Sequence, residues 1–167
     1  MSSFAGKFLV ARHSLRDPHF SHSVILLLQH GPEGAFGLVV NRPARIEGLP
    51  FPVFAGGPCG SQGLLLLHGH EEWAETEDGQ IEGQVAPGIL LGDATCLKRL
   101  DDLPDGFPGR FRMFAGYAGW GPGQLENEMN AGAWAVAPAT GELLFGTPVH
   151  DLWDRLVPPA IPQFSVN

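Results

Sequence analysis

Two short motifs carry groups with which a protein readily holds an anion. Arg16-Asp17-Pro18 and Asn41-Arg42-Pro43 each set charged or amide side chains beside a turn-forming proline. If the apolar runs Ser23–His30 and Leu38–Asn41 pair as strands, their ends lie beside neighbouring loops. Arg16 and Arg42, with Asn41 beside them, then converge on a small anion. The competing arrangement is an ion pair of either arginine with Asp17, which ties two loops together.

A third stretch, FAGYAGWGPGQLENEMNAGAW (Phe114–Trp134), sets five glycines around Tyr117 and Trp120 on the approach to an acidic helix. A glycine-rich turn before a helix can cradle a phosphate. Here the dinucleotide spacing fails, because Gly119-x-Gly121 would need a third glycine where Gln124 stands. The same residues read as a helix entrance, with Gly121 as N-cap, Pro122 at the first helical position and Gln124 reaching back to the cap N–H. Leu125 and Met129 then share the inward face, while Glu126 and Glu128 point elsewhere and oppose a phosphate. Tyr117 and Trp120 are large amphipathic rings that either pack at the core and rim or line a ligand.

Other reactive side chains lack the companions their chemistry needs. His68-Gly69-His70-Glu71 projects two imidazoles to one face of a strand, but no third metal ligand can be named and no HExxH occurs. Cys96, at the predicted start of a helix, is placed where a thiol's pKa falls, yet Asp93 is not a thiol activator. No GxSxG is present. The reading assigns no catalytic residue, no metal and no cofactor.

The elements that must position these groups follow from composition and period. The 167 residues, 44% hydrophobic, suit one domain over 1–167, with a small surface lobe around 69–84 where the span Glu71–Gly83 is acidic and broken by glycine. The 23 glycines and 15 prolines imply many turns. Lys7–Arg12, Ser23–His30, Leu38–Asn41, Leu64–His68, Val85–Gly92, Arg110–Gly116, Ala133–Ala139 and a short ELLF read as strands. Helices are expected after Asp93 or Thr95, after Gly121, and over Pro148–Val157. Strands outnumber helices and mix hairpins with crossovers, which gives an α+β fold around a mixed sheet.

The net charge of −8 is unevenly spread. Residues 1–46 hold five basic side chains against two acidic, a balance of +3, and the remainder holds five against sixteen, or −11. Only the N-terminal part could attract nucleic acid, and no recognition-helix motif appears, so direct DNA reading is not expected. The longest aliphatic runs, Val24–Leu28 and Leu64–Leu67, fall far short of the roughly 20 residues of a membrane helix. With two cysteines, Cys59 and Cys96, and no signal peptide, a soluble cytoplasmic setting is expected.

GYAGWGPGQLENEM (Gly116–Met129), LRDPHFSHSVILLLQHGPEGAFGLVVNRP (Leu15–Pro43), GGPC (Gly56–Cys59), GLLLLH (Gly63–His68) and ELLFGTP (Glu142–Pro148) together resemble the signature of the YqgE/AlgH family, in order and spacing, from about Gly6 to Leu156. The resemblance implies an α/β fold, three-layer-sandwich-like, whose mixed sheet has partly barrel-like curvature and is packed by helices. It implies a label of transcriptional regulator, linked to alginate biosynthesis, and no agreed catalytic residue. Two positions depart from the pattern: Arg12-His13 stands where the family usually has Met-Pro, and Gly132 where it has Asn. The expected function is non-enzymatic regulation through a protein partner or a small anionic ligand. The alternative is an enzyme acting on a small anionic substrate at Arg16, Asn41 and Arg42.

Overall fold

The computed structural model describes residues 3–15, 17, 18, 20–44, 53–70, 83–92 and 110–159, with backbone alone at 61–63. Strands β1 (Lys7–Ala11), β2 (Val24–Gly31), β3 (Gly34–Val39), β4 (Pro43–Ala44), β5 (Val53–Ala55), β6 (Cys59–His68), β7 (Gln84–Ala86), β8 (Ile89–Gly92), β9 (Phe111–Trp120) and β10 (Trp134–Pro138) form one sheet. Its main path runs β10-β1-β2-β3-β9-β6-β8-β7, with β4 paired to β5 and β5 to β9. All pairs are antiparallel except β5 with β9, so the sheet is mixed, and it curls into a half-barrel. Among the described residues the helices are short: α1 (Gln124–Asn130), α2 (Gly141–Gly146), a 3-10 turn at Val149–Asp151 and α3 (Leu152–Leu156).

β2 is central because its sequence is apolar on both faces. Val24 and Leu26 join one core cluster, Ile25 and Leu27 the other, and all four are fully buried. Each contributes about 1.5–3 kcal/mol by leaving water. The first cluster is closed by Leu144 of α2 and Leu152 of α3, the second by Leu125 and Met129 of α1 with Phe4, Leu15 and Phe20. Helix, sheet and helix thus make three layers.

Several segments differ from the sequence reading: the strand expected at Leu38–Asn41 is Gly34–Val39, the one expected at Leu64–His68 begins at Cys59, and β4 and β5 lie where no strand is expected. ELLF is helical in α2, because the Thr140 hydroxyl accepts the Leu143 N–H at 3.1 Å and caps the turn. Val85–Gly92 is a hairpin, β7 and β8, around Pro87-Gly88. The expected strand Arg110–Gly116 continues to Trp120, so Gly116 and Gly119 lie within β9 and not in the turn after it. Much of the lobe expected at 69–84 and the helix expected after Asp93 lie outside the described residues.

The glycines of β9 answer a crowding problem. Gly56 donates its N–H to the Ala115 carbonyl at 2.8 Å and accepts the Val39 N–H at 2.9 Å. Gly57 then passes directly over the Tyr117 backbone, and a Cβ on Gly116, at φ +78°, would strike the Gly57 carbonyl. Gly123, at φ +74°, has no neighbour within 4 Å of its would-be Cβ. Gly116→Ala is therefore expected to cost roughly 2–4 kcal/mol by urea denaturation, since backbone strain and collision add. Gly123→Ala should cost about 1 kcal/mol, from strain alone.

Candidate functional site

The loop between β1 and β2 lies against the exit of β3 because the two strands pair antiparallel, Ile25 opposite Val39. The loop is folded on itself: Phe20 and Ser21 donate N–H groups to the Asp17 carbonyl, and the Ser23 hydroxyl donates to the Phe20 carbonyl. Asn41 and Arg42 then clamp it from outside. Asn41 Oδ1 accepts the Val24 N–H and its Nδ2 donates to the His22 carbonyl, both at 2.9 Å. Arg42 Nη2 donates to the Ser21 carbonyl at 2.9 Å.

His22 bears the consequence. It is the one described non-glycine residue with positive φ, at 60°, a left-handed backbone that most side chains avoid. In this conformation its exposed ring packs on Trp153 of α3, centroids 4.2 Å apart, and His13 meets the same indole edge-on at 5.0 Å. Trp153 is itself anchored, its Nε1 donating to the Ala11 carbonyl at 2.7 Å. These three side chains were missed in the sequence, where no spacing links them.

Arg42 is half-buried. Burial lowers its pKa, and the Asp17 carboxylate opposes that shift by favouring the charge. The structure thus brings Asp17, Asn41 and Arg42 together, while Arg16 lies outside the described residues. Trp120 meets the loop through Phe20, the two rings stacked with centroids 6.4 Å apart. Tyr117 stands on the opposite face of β9, edge-on to Phe36 at 5.6 Å. The six residues singled out in the sequence therefore do not share one site.

The entrance to α1 keeps its expected bond, Gln124 Oε1 accepting the Gly121 N–H at 2.9 Å, although the helix begins at Gln124 with Gly123 as N-cap. Its two glutamates turn to the protein, contrary to expectation. Glu128 Oε1 accepts both indole N–H groups, Trp120 at 3.2 Å and Trp134 at 3.0 Å, because two buried indoles need an acceptor. His30 Nδ1 accepts the Phe4 N–H at 3.0 Å, so the proton sits on Nε2, which donates to Glu126 Oε1 at 2.5 Å. On β6, His68 Nδ1 accepts the His70 N–H at 3.1 Å. Among the described residues no group of three metal-ligating side chains is assembled. Glu71 and Cys96 lie outside them, and Cys59 is half-buried with a free thiol.

A curled mixed sheet between short helices, with a polar clamp at one strand end, defines the class of α/β protein to which this chain is related. The chain belongs to the AlgH-like family, whose profile matches residues 8–160. It is 34% identical to a UPF0301 protein of Hahella chejuensis, over 89% of this chain and 84% of that one, and 36% identical to a UPF0301 protein of Myxococcus xanthus, over 92% and 89%. A crystal structure from Corynebacterium diphtheriae shares the fold, with TM-score 0.73, 24% identity and coverage of 93% and 86%. The solution structure of the AlgH protein of Pseudomonas aeruginosa matches with TM-score 0.67, 26% identity and coverage of 93% and 89%. No described helix is long and apolar enough to cross a membrane.

Two outcomes test this geometry. Asn41→Ala removes both amide bonds and strands the buried Val24 N–H, and is expected to cost about 1–3 kcal/mol in denaturant unfolding. The His30 bond, with the residue's own backbone as a lesser cause, holds the Glu126 carboxyl below its ordinary value of 4.5. A carboxyl depressed in the folded state stabilises above the unfolded pKa and ceases to do so as pH falls through the folded one. Below pH 4.5 the wild type should therefore lose stability faster than Glu126→Gln, the two urea midpoints converging in stronger acid.

Proposed function

We propose that the protein is a non-enzymatic binding module that acts in regulation through a protein partner or a small anionic ligand, held at the corner of Asp17, Asn41 and Arg42, with Arg16, next to Asp17 in the sequence, as a further candidate. The observation that carries this reading is the state of Arg42. A guanidinium offers five N–H donors, and this one, half-desolvated, spends a single donor on Ser21 among the described residues. An anion docking on the others would offset the cost of burial that Asp17 offsets only in part.

Binding is favoured over catalysis because the polar groups at the corner are committed to structure. Both ends of the Asn41 amide hold backbone, and the Ser23 hydroxyl holds the Phe20 carbonyl. One observation favours the enzymatic alternative on a small anionic substrate: His22, whose imidazole is exposed, keeps a left-handed backbone next to Ser21, the residue that Arg42 bonds. The two readings separate on one variant, since His22→Gly leaves ligand affinity within about threefold if the ring only packs, but abolishes turnover if it transfers a proton.

Native mass spectrometry of the protein from its own cells is expected to show an adduct of defined mass that Arg42→Ala lacks. Retention of that adduct by Arg42→Ala would overturn the site. Because the chain carries −8 and its positive balance is confined to the first 46 residues, duplex DNA should not bind at low salt. Micromolar affinity there would reverse the proposal that any effect on transcription is indirect.

A further inference from the structure

A second arginine, remote in sequence from those motifs, sits in a different setting. Arg112 lies on β9 opposite Leu67 of β6. Its guanidinium carbon is 5.6 Å from the ring centre of Phe54, on β5, and 5.7 Å from that of Phe145, on α2. Nη1 donates to the Phe111 carbonyl at 2.8 Å. Among the described residues no carboxylate pairs with it, in contrast to Arg42, where Asp17 acts on the charge. Burial accordingly lowers its pKa with no opposing cause.

The two rings attract the cation, but a ring quadrupole supplies less than an anion and accepts no ordinary hydrogen bond. A partly desolvated guanidinium therefore retains N–H groups in a fixed planar fork, flanked by phenyl side chains. That combination selects among anions. A carboxylate matches the fork with its two oxygens. A phosphate brings further oxygens, which phenyl rings cannot satisfy and which are costly to desolvate. Phe145 is only half-buried, whereas Phe54 is 5% exposed, so Phe145 offers the surface on which an apolar ligand body can stack.

We propose that Arg112, Phe54 and Phe145 form a binding site for a small carboxylic acid with an apolar body, the carboxylate on the guanidinium and the body against Phe145. The site uses neither Arg42 nor the loop between β1 and β2, so it stands or falls apart from the reading above.

The test is a titration of nitrogen-15-labelled full-length protein with benzoate, read at the Arg112 side-chain Nε–H resonance by NMR. Benzamide, of equal shape and no charge, and inorganic phosphate are run in parallel. A saturable benzoate shift at Arg112, with both other probes about tenfold weaker or more, is expected. Arg112→Lys keeps the charge and lacks the fork, and should weaken benzoate about tenfold, read on the Phe145 amide. Equal responses to benzamide, a preference for phosphate, benzoate shifts that leave Arg112 unmoved, or unchanged affinity in Arg112→Lys would each overturn the site. If the variant does not fold, the comparison of the three probes on the wild type still decides.

Discussion

The close approach of two backbones at Gly56-Gly57 and Gly116 is the constraint on which the rest of the architecture hangs. β9 is asked to pair with β6 along one edge and, along the other, first with β5 and then with β3. Exchanging β5 for β3 within ten residues requires a crossing strand to pass where a side chain would otherwise stand. Gly56 makes the passage with backbone bonds to Ala115 and Val39 on its two sides. Positive φ at Gly57 and Gly116 lets the chains pass without a Cβ between them. No ligand is needed to explain these glycines.

That crossing also sets the corner of Asp17, Asn41 and Arg42. Val39, bonded to Gly56, is two residues from Asn41, and the Arg42 carbonyl accepts the Ala55 N–H at 2.7 Å. The strand exit is thus pinned on one side by β5, which leaves both side chains to act on the loop at the other. Three backbone groups, at Ser21 and His22 in the loop and at Val24 where β2 begins, are fixed by two consecutive residues. Holding His22 left-handed costs on the order of 1 kcal/mol, which two amide hydrogen bonds of about 1 kcal/mol each can sustain. The corner is thus held from the side of β5 by the same crossing.

How much of this was legible in the sequence depends on range. The β2–β3 hairpin, the central burial of β2 and the inward pair Leu125 and Met129 follow from local period, and so does the meeting of Asn41 and Arg42 with the preceding loop. ELLF is not decided by its sequence, because a four-residue apolar run has no period to separate strand from helix, and the Thr140 cap makes it helical. β9 runs past its expected end at Gly116 because glycines that serve a backbone crossing have the same sequence signal as a turn. The inward turn of Glu128 is not legible in amphipathicity, which carries no sign of two indole N–H groups in need of an acceptor. Trp153 and its carbonyl partner Ala11 are 142 residues apart, and no local rule joins them.

The acidic character of the chain does not count against anion recognition, because the two act at different distances. Screening at physiological salt reduces the field of exposed charges beyond about 8 Å, so sixteen acidic residues spread over the later sequence weigh little at a guanidinium in direct contact with its ligand. What net charge does govern is an extended polyanion, which must lie across many such carboxylates at once and gains affinity only by replacing counterions with basic groups. A half-buried arginine has the opposite preference. Its field is stronger where water is excluded, and its demand is met by one small anion of the right shape. Under the proposed function, this distribution of charge would separate ligand classes, with compact anions bound at particular guanidinium groups and nucleic acid opposed by the acidic majority of the chain.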